Sequence, residues 1–120
     1  MKSSLVLAYL GDSVYELYIR EYLIGKGISK VKDLQKESIK YVSANSQAKF
    51  LKEMMNNSVF NEDELSIIIN ARNHKNNHKP KNCDIITYKY ATGFEALIGY
   101  LYLEGKISRL EEIINYIIWR

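Results

Sequence analysis

Three carboxylates stand in stretches of the chain that are otherwise almost free of charge. Asp12 and Glu16 are the only charged residues between positions 5 and 19, and Glu95 is the only one between positions 90 and 103. An ionised carboxylate removed from water costs several kcal/mol unless it is paired or binds a metal, and neither stretch contains a lysine or arginine. The pattern indicates either a metal site or acids that reach solvent or a tyrosine hydroxyl.

The residues beside these acids are small and would permit a metal site, although they do not decide between the two alternatives: Ala8, Gly11, Ala96 and Gly99. A glycine inside a helix costs about 1 kcal/mol relative to alanine, and close approach of two helices is a reason to accept that cost. If the two small faces meet, Asp12 and Glu95 can converge on a hard cation such as Mg²⁺, which takes oxygen ligands. Glu16, four residues after Asp12, shares its helix face and could join or support the site.

The positive charge of the chain is concentrated in one short segment. Residues 70–82 contain four cations and no acid, whereas the remaining 13 basic and 14 acidic residues leave a net −1. This composition suits contacts with the phosphates and riboses of a nucleic acid, although a solvated loop is the alternative. The predicted binding residues are Arg72, Asn73, Lys75, Lys79 and Lys81.

Hydrophobic periodicity and capping residues predict the elements that must position these side chains. The chain has the size of one domain, with a single proline and no low-complexity linker, so we expect one all-α, compact helical bundle over residues 1–120. Five helices are predicted, over residues 4–24, 38–55, 61–71, 85–103 and 109–119. Their predicted N-caps are Ser3 or Ser4 for the first, Asn61 for the third, Asp84 for the fourth and Ser108 for the fifth.

Composition also predicts the cellular compartment of the protein. The longest nearly apolar stretch, residues 90–103, is too short to cross a bilayer and is interrupted by Glu95, so no membrane span is expected. Gly11 and Asp12 stand where a signal peptide would have its cleavage site, which argues against such a peptide. With Cys83 as the one cysteine there is no internal disulfide, and a cytoplasmic location is expected.

Two motifs in this order resemble a known family. Residues 7–17, which contain Leu-Gly-Asp at the start of an apolar helix, resemble the first signature of the ribonuclease III family, and residues 94–99 are similar to its second signature. Residues 41–48, 71–73 and 80–82 resemble the Mini-III branch of that family. Members of this branch have no separate domain for binding double-stranded RNA, and none is expected here.

The resemblance implies roles for individual residues. Asp12 and Glu95 match the family's catalytic, metal-binding carboxylates, which use Mg²⁺ and for which Mn²⁺ is expected to substitute. Ala8 and Thr92 stand where larger members of the family have two further acids. The number of metal ions and the remaining ligands therefore stay open. Ala71 also departs from the glycine expected before the Arg-Asn pair, which leaves the shape of that loop open.

The expected function follows from the resemblance. We expect a metal-dependent endoribonuclease for double-stranded RNA, with a precursor of large-subunit ribosomal RNA as the natural substrate. The alternative is a non-catalytic RNA-binding or ribosome-associated module of the same fold. Because one carboxylate pair is evident and a duplex has two strands, a symmetric homodimer is expected. The helix over residues 4–24 is the preferred contact, ahead of the helix over residues 85–103.

Overall fold

Six α-helices make up the part of the chain that the computed structural model describes, residues 3–74 and 83–119. They are α1 (Ser4–Gly25), α2 (Val31–Val42), α3 (Ala44–Asn56), α4 (Glu62–Arg72), α5 (Ile85–Leu103) and α6 (Ile107–Ile118). No strand occurs among these residues, so the all-α prediction is confirmed. The predicted binding residues Lys75, Lys79 and Lys81 lie outside the described residues.

Three of the predicted helix starts are confirmed by hydrogen bonds of the capping side chains. The Ser3 hydroxyl accepts a bond from the amide of Val6, and the Asp84 carboxylate accepts one from the amide of Thr87. Asn61 and Glu64 form a reciprocal capping box, in which each side chain binds the backbone amide of the other residue. These caps satisfy amides that the first turn of a helix leaves free.

Two predictions about the helices were wrong. The segment 38–55 is not one helix, because Ser43 adopts an extended conformation that ends α2, and its hydroxyl then caps α3 through the amide of Ser46. The earlier start of α2 was missed because Lys30, at its N-cap, makes no capping hydrogen bond through its side chain. Ser108 is likewise no cap, since α6 begins at Ile107 after a turn in which Gly105 has a positive φ of 70°.

The centre of the fold is α5, which is contacted by α1, α3, α4 and α6. Its most extensive contact is with α1, and at the crossing the backbones approach closely. A Cβ atom added to Gly11 would lie 1.7 Å from the carbonyl oxygen of Glu95, and one added to Gly99 would lie 2.0 Å from that of Leu7. Ala8 and Ala96 pack in the same buried cluster. The predicted meeting of the two small faces is therefore confirmed.

An ion pair fixes the start of α4 against α6. Arg109 donates from both Nε and a terminal nitrogen to the carboxylate of Glu64, each at 2.8 Å, and also to the carbonyl oxygen of Val59. The Glu64 side chain is buried, and a bidentate guanidinium is the partner that satisfies both of its oxygens. The sequence analysis did not identify this ion pair.

Among the described helices, none combines the length and the apolar character that a membrane crossing requires.

We predict that Gly11→Ala destabilises the protein by about 3 kcal/mol or more, because the new methyl group would force α1 away from the backbone of Glu95. Urea unfolding at neutral pH measures this change. Gly25→Ala is the matched control, since it changes a glycine of the same helix whose added Cβ meets no atom within 4 Å. It should leave stability unchanged or raise it by up to about 1 kcal/mol. Equal stability of the two variants would contradict the close crossing.

Candidate active site

The crossing of α1 and α5 brings two of the predicted site residues together. Asp12 lies on an exposed part of α1, and Glu95 lies half-buried on α5 directly across the crossing. Their carboxyl groups lie close enough to form a hydrogen bond whenever one of the two carries a proton. The two acids thus form one carboxyl pair at the closest approach of the two helices.

The electrostatics of the pair show which acid holds the proton. Burial raises the pKa of Glu95 to about 8, with further increases from the negative charge of Asp12 and from the hydrogen bond to it. The hydrogen bond from Gln47 acts in the opposite direction, and the charge of Glu16 makes the smallest contribution. Without a cation, the raised pKa therefore favours the protonated form of Glu95 near neutral pH.

Gln47 is a site residue that the sequence analysis missed. Its side chain is 2% exposed, and its Nε2 donates to the carbonyl oxygen of Val42 at 3.1 Å and to Oε2 of Glu95 at 3.4 Å. Its own Oε1 is buried and has no hydrogen-bond partner among the described residues. A polar residue in the apolar face of α3 was the available signal, but it predicts a buried amide and does not identify the partner.

Glu16 lies beside the pair without joining it. Its carboxylate is 3.4 Å from the guanidinium of Arg20, one turn further along α1. Ala8 is buried in the core, and the hydroxyl of Thr92 donates to the carbonyl oxygen of Tyr88. Within residues 3–74 and 83–119, no three acidic, histidine or cysteine side chains are placed to hold one metal ion. Asp12 and Glu95 are therefore the candidate ligands in this part of the chain.

The carboxyl pair fits a divalent cation by its chemistry. Neither Asp12 nor Glu95 forms an ion pair with a lysine or arginine of the described residues. Two acids in contact repel each other when both are ionised, and a cation between them would remove that repulsion. Mg²⁺ accepts one or two carboxylates and completes its octahedral shell with water and phosphate oxygens. A pair without a third protein ligand is compatible with that preference.

The segment 70–82, which carries the excess positive charge, is called the basic segment. Its first five residues, 70–74, are described by the structure and lie at the end of α4. Arg72 is half-buried, and its guanidinium carbon lies 5.6 Å from the centre of the Tyr90 ring. Its Nε donates to the side-chain oxygen of Asn73, which is exposed and ends the helix. The structure thus holds the first of the predicted RNA-binding cations against α5, the helix that carries Glu95.

Comparison with known proteins agrees with this fold. A family model described as the Ribonuclease III domain matches residues 5–106, which defines the class of the protein. A Mini-ribonuclease 3 of a Thermoanaerobacter species is 46% identical over 94% of this chain and 78% of its own length. A Mini-ribonuclease 3 of Streptococcus pneumoniae is 41% identical over 97% of this chain and 91% of its own.

A solved structure has a similar fold. The crystal structure of a protein from Fusobacterium nucleatum superimposes with a TM-score of 0.85 at 36% identity, covering 97% of this chain and 91% of that one. The chain therefore belongs to the Mini-ribonuclease 3 branch of the ribonuclease III family. The resemblance seen in the sequence motifs is confirmed, while the catalytic roles of Asp12 and Glu95 stay predictions.

We predict that Glu95→Gln stabilises the metal-free protein, and increasingly so at higher pH. Because its pKa is raised, folded Glu95 keeps a proton that the unfolded chain releases, so its contribution to stability falls as pH rises from about 4.5 towards 8. A glutamine has no proton to lose. Between pH 5 and pH 8 the variant should gain a few kcal/mol over the parent, at about 1.36 kcal/mol per unit of pKa shift.

The measurement is urea unfolding at both pH values in the presence of a chelator. Glu16→Gln is the control, since it neutralises an acid of the same helix face as Asp12 that is already paired with Arg20. That variant should show little change between the two pH values. A pH dependence of Glu95→Gln that equals the parent's would contradict the raised pKa.

Proposed function

We propose that the protein is a divalent-metal-dependent endoribonuclease that cuts double-stranded RNA, with Asp12 and Glu95 as its catalytic carboxylates and metal ligands. The observation that carries the proposal is the convergence of these two acids from different helices into one uncompensated pair. Membership of the ribonuclease III family supports the reaction class. Mg²⁺ is the proposed ion, and Mn²⁺ is expected to substitute because it also prefers oxygen ligands.

Individual residues of the chain have different proposed roles at the site. When bound, Mg²⁺ supplies positive charge for the phosphate and activates water for attack on it. Glu95 must lose its proton before it can act as a ligand, and Gln47 directs a hydrogen bond at Oε2 of that carboxylate. The backbone contact at Gly11 fixes how far apart Asp12 and Glu95 lie. Outer residues that orient ligands in this way commonly contribute ten- to hundredfold to metal affinity or activity.

The basic residues supply the proposed contacts with the RNA. Arg72 and Asn73 at the end of α4, together with Lys75, Lys79 and Lys81, would bind phosphates and riboses of the duplex. Such contacts follow the backbone and do not read the base sequence. We extend the proposal to a precursor of large-subunit ribosomal RNA in the cytoplasm as the natural substrate, on the strength of the family resemblance.

A symmetric homodimer would give two sites, one for each strand. Val6, Leu17 and Ile24 are exposed and lie on one side of α1, because they are 11 and 7 residues apart, close to three and two full turns. Tyr9, on the neighbouring side, is 83% exposed. An apolar face of this kind commonly marks an interface. The exposed apolar face of α1 is therefore the proposed dimer contact.

Asp12→Asn and Glu95→Gln are each expected to reduce cleavage of duplex RNA by orders of magnitude, because each removes a charged oxygen ligand while nearly preserving the side-chain shape. Cleavage of a labelled duplex, with Mg²⁺, with Mn²⁺ and with excess chelator, measures the effect. Circular dichroism should show unchanged folding. Full activity in chelator or in both variants would overturn the proposed site.

The same assay tests the second candidate function. The buried Ala8 and the hydrogen-bonded Thr92 hydroxyl offer the site no further carboxylate, which is the observation in favour of a non-catalytic RNA-binding module. Such a module would bind the duplex tightly and leave it intact at all metal concentrations. Cleavage by the parent protein that disappears in chelator would exclude this candidate.

For the dimer we expect light scattering at micromolar concentration to give about twice the chain mass of 14.0 kDa. Mixing parent with Asp12→Asn subunits should yield heterodimers that nick one strand only, because each site serves one strand. Leu17→Glu should shift the protein to the monomer by placing a charge in the apolar contact. Paired cuts on both strands by a monomer would refute the arrangement.

A further inference from the structure

Two cations from different helices converge on one aromatic ring. The Nζ of Lys52, on α3, lies 4.7 Å from the centre of the Tyr90 ring, and the guanidinium carbon of Arg72, on α4, lies 5.6 Å from the same centre. A cation within about 6 Å of a ring centre is attracted by the negative face of the ring. Tyr90 thus contacts both cations through its ring.

The charge of this pair is not neutralised by the described residues. Neither Lys52 nor Arg72 forms an ion pair with a carboxylate among them, and residues 75–82 contain no acid. Asp84 is near enough for Lys52 to lower its pKa, but its oxygens accept hydrogen bonds from the amide and the hydroxyl of Thr87. The two cations therefore have the carboxylate of Asp84 in their surroundings but no ion-pair partner among the described residues.

The position of the pair follows from the packing of α3 on α5. Gln47 contacts Glu95, and Lys52 contacts Tyr90. Lys52 lies five residues after Gln47 on α3, whereas Tyr90 lies five residues before Glu95 on α5. The two helices are therefore antiparallel, and the second contact lies about 7.5 Å further along them at 1.5 Å per residue. Five residues also turn each helix by about 140°, so the cation pair lies on a different side of α5 from the carboxyl pair.

We propose that Lys52, Arg72 and Tyr90 form a phosphate-binding site that holds the RNA backbone further along α5 than the carboxyl pair. The proposal rests on the proposed nuclease function and adds a contact that lies outside the basic segment 70–82. Arg72 can bind two phosphate oxygens with its planar fork, and Lys52 adds a point charge. The Tyr90 ring orients both cations, so less side-chain freedom is lost when the phosphate binds. The ligand is a phosphodiester of any sequence.

The test compares two single lysine variants that each remove one charge and one contact with a tyrosine of α5. Lys52→Ala removes the proposed phosphate ligand. Lys106→Ala is the matched control, because Lys106 lies 5.1 Å from the centre of the Tyr100 ring in acidic surroundings that include Asp63 and Glu104. Duplex RNA binding is measured without divalent metal across a series of salt concentrations, so that no cleavage occurs.

We expect Lys52→Ala to weaken binding about three- to tenfold and to lower the slope of log Kd against log salt by about 1, because one phosphate contact is lost. Lys106→Ala should match the parent in both quantities, and Lys52→Arg should keep the slope. Tyr90→Leu should weaken binding although it removes no charge, whereas Tyr90→Phe keeps the ring and the affinity. Both lysines are exposed, so their variants should fold.

Binding by Lys52→Ala that equals that of Lys106→Ala in affinity and slope would overturn the proposed phosphate site. Cleavage by the parent protein, assayed in parallel with Mg²⁺, separates this failure from failure of the nuclease function. Active parent protein with equal binding by the two variants would reject the phosphate site alone. Inactive parent protein that still shows the Lys52 effect would reject the nuclease function and retain the phosphate site.

Discussion

The backbone contact between α1 and α5 is the constraint on which the other features of the site depend. A glycine in the middle of a helix costs about 1 kcal/mol relative to alanine, and here two are accepted, at Gly11 and Gly99. Each lies against a carbonyl oxygen of the opposite helix, so no larger residue fits. Asp12 follows one of these glycines and Glu95 supplies the carbonyl that the same glycine contacts. The crossing and the carboxyl pair are therefore one feature of the fold.

At Glu95, the stability of the metal-free protein and the proposed metal-binding role place opposite demands on the carboxyl group. Glu95 is half-buried next to another acid, and its pKa of about 8 expresses the free energy that ionisation would cost in the metal-free protein. A cation bound by the two carboxylates would reverse this preference for the protonated form, because it favours the ionised form of both acids. Metal binding should therefore release a proton near neutral pH and stabilise the folded state at the same time.

The sequence predicted three helix caps and the crossing of α1 and α5, and it missed the contacts that depend on the position of α3. Asp12 and Glu95 were identified because a lone charge in an apolar helix is visible in the sequence, and small neighbours predicted the crossing. Gln47 and Lys52 were missed, because their partners depend on the register of α3, which the sequence does not show. That register begins at Ser43, where the predicted helix over residues 38–55 is in fact broken.

The break at Ser43 has a consequence for how the site is held. The carbonyl of Val42, in the last turn of α2, lacks a partner within its own helix, and Gln47 donates to it with the same nitrogen that reaches Glu95. The end of α2 thus orients Gln47, and Gln47 orients the carboxylate. Lys52 lies further along the same helix, so α3 places a neutral donor beside the acids and a cation beyond them. A shift of α3 along α5 would disturb both contacts together, which makes the junction of α2 and α3 part of the support of the site.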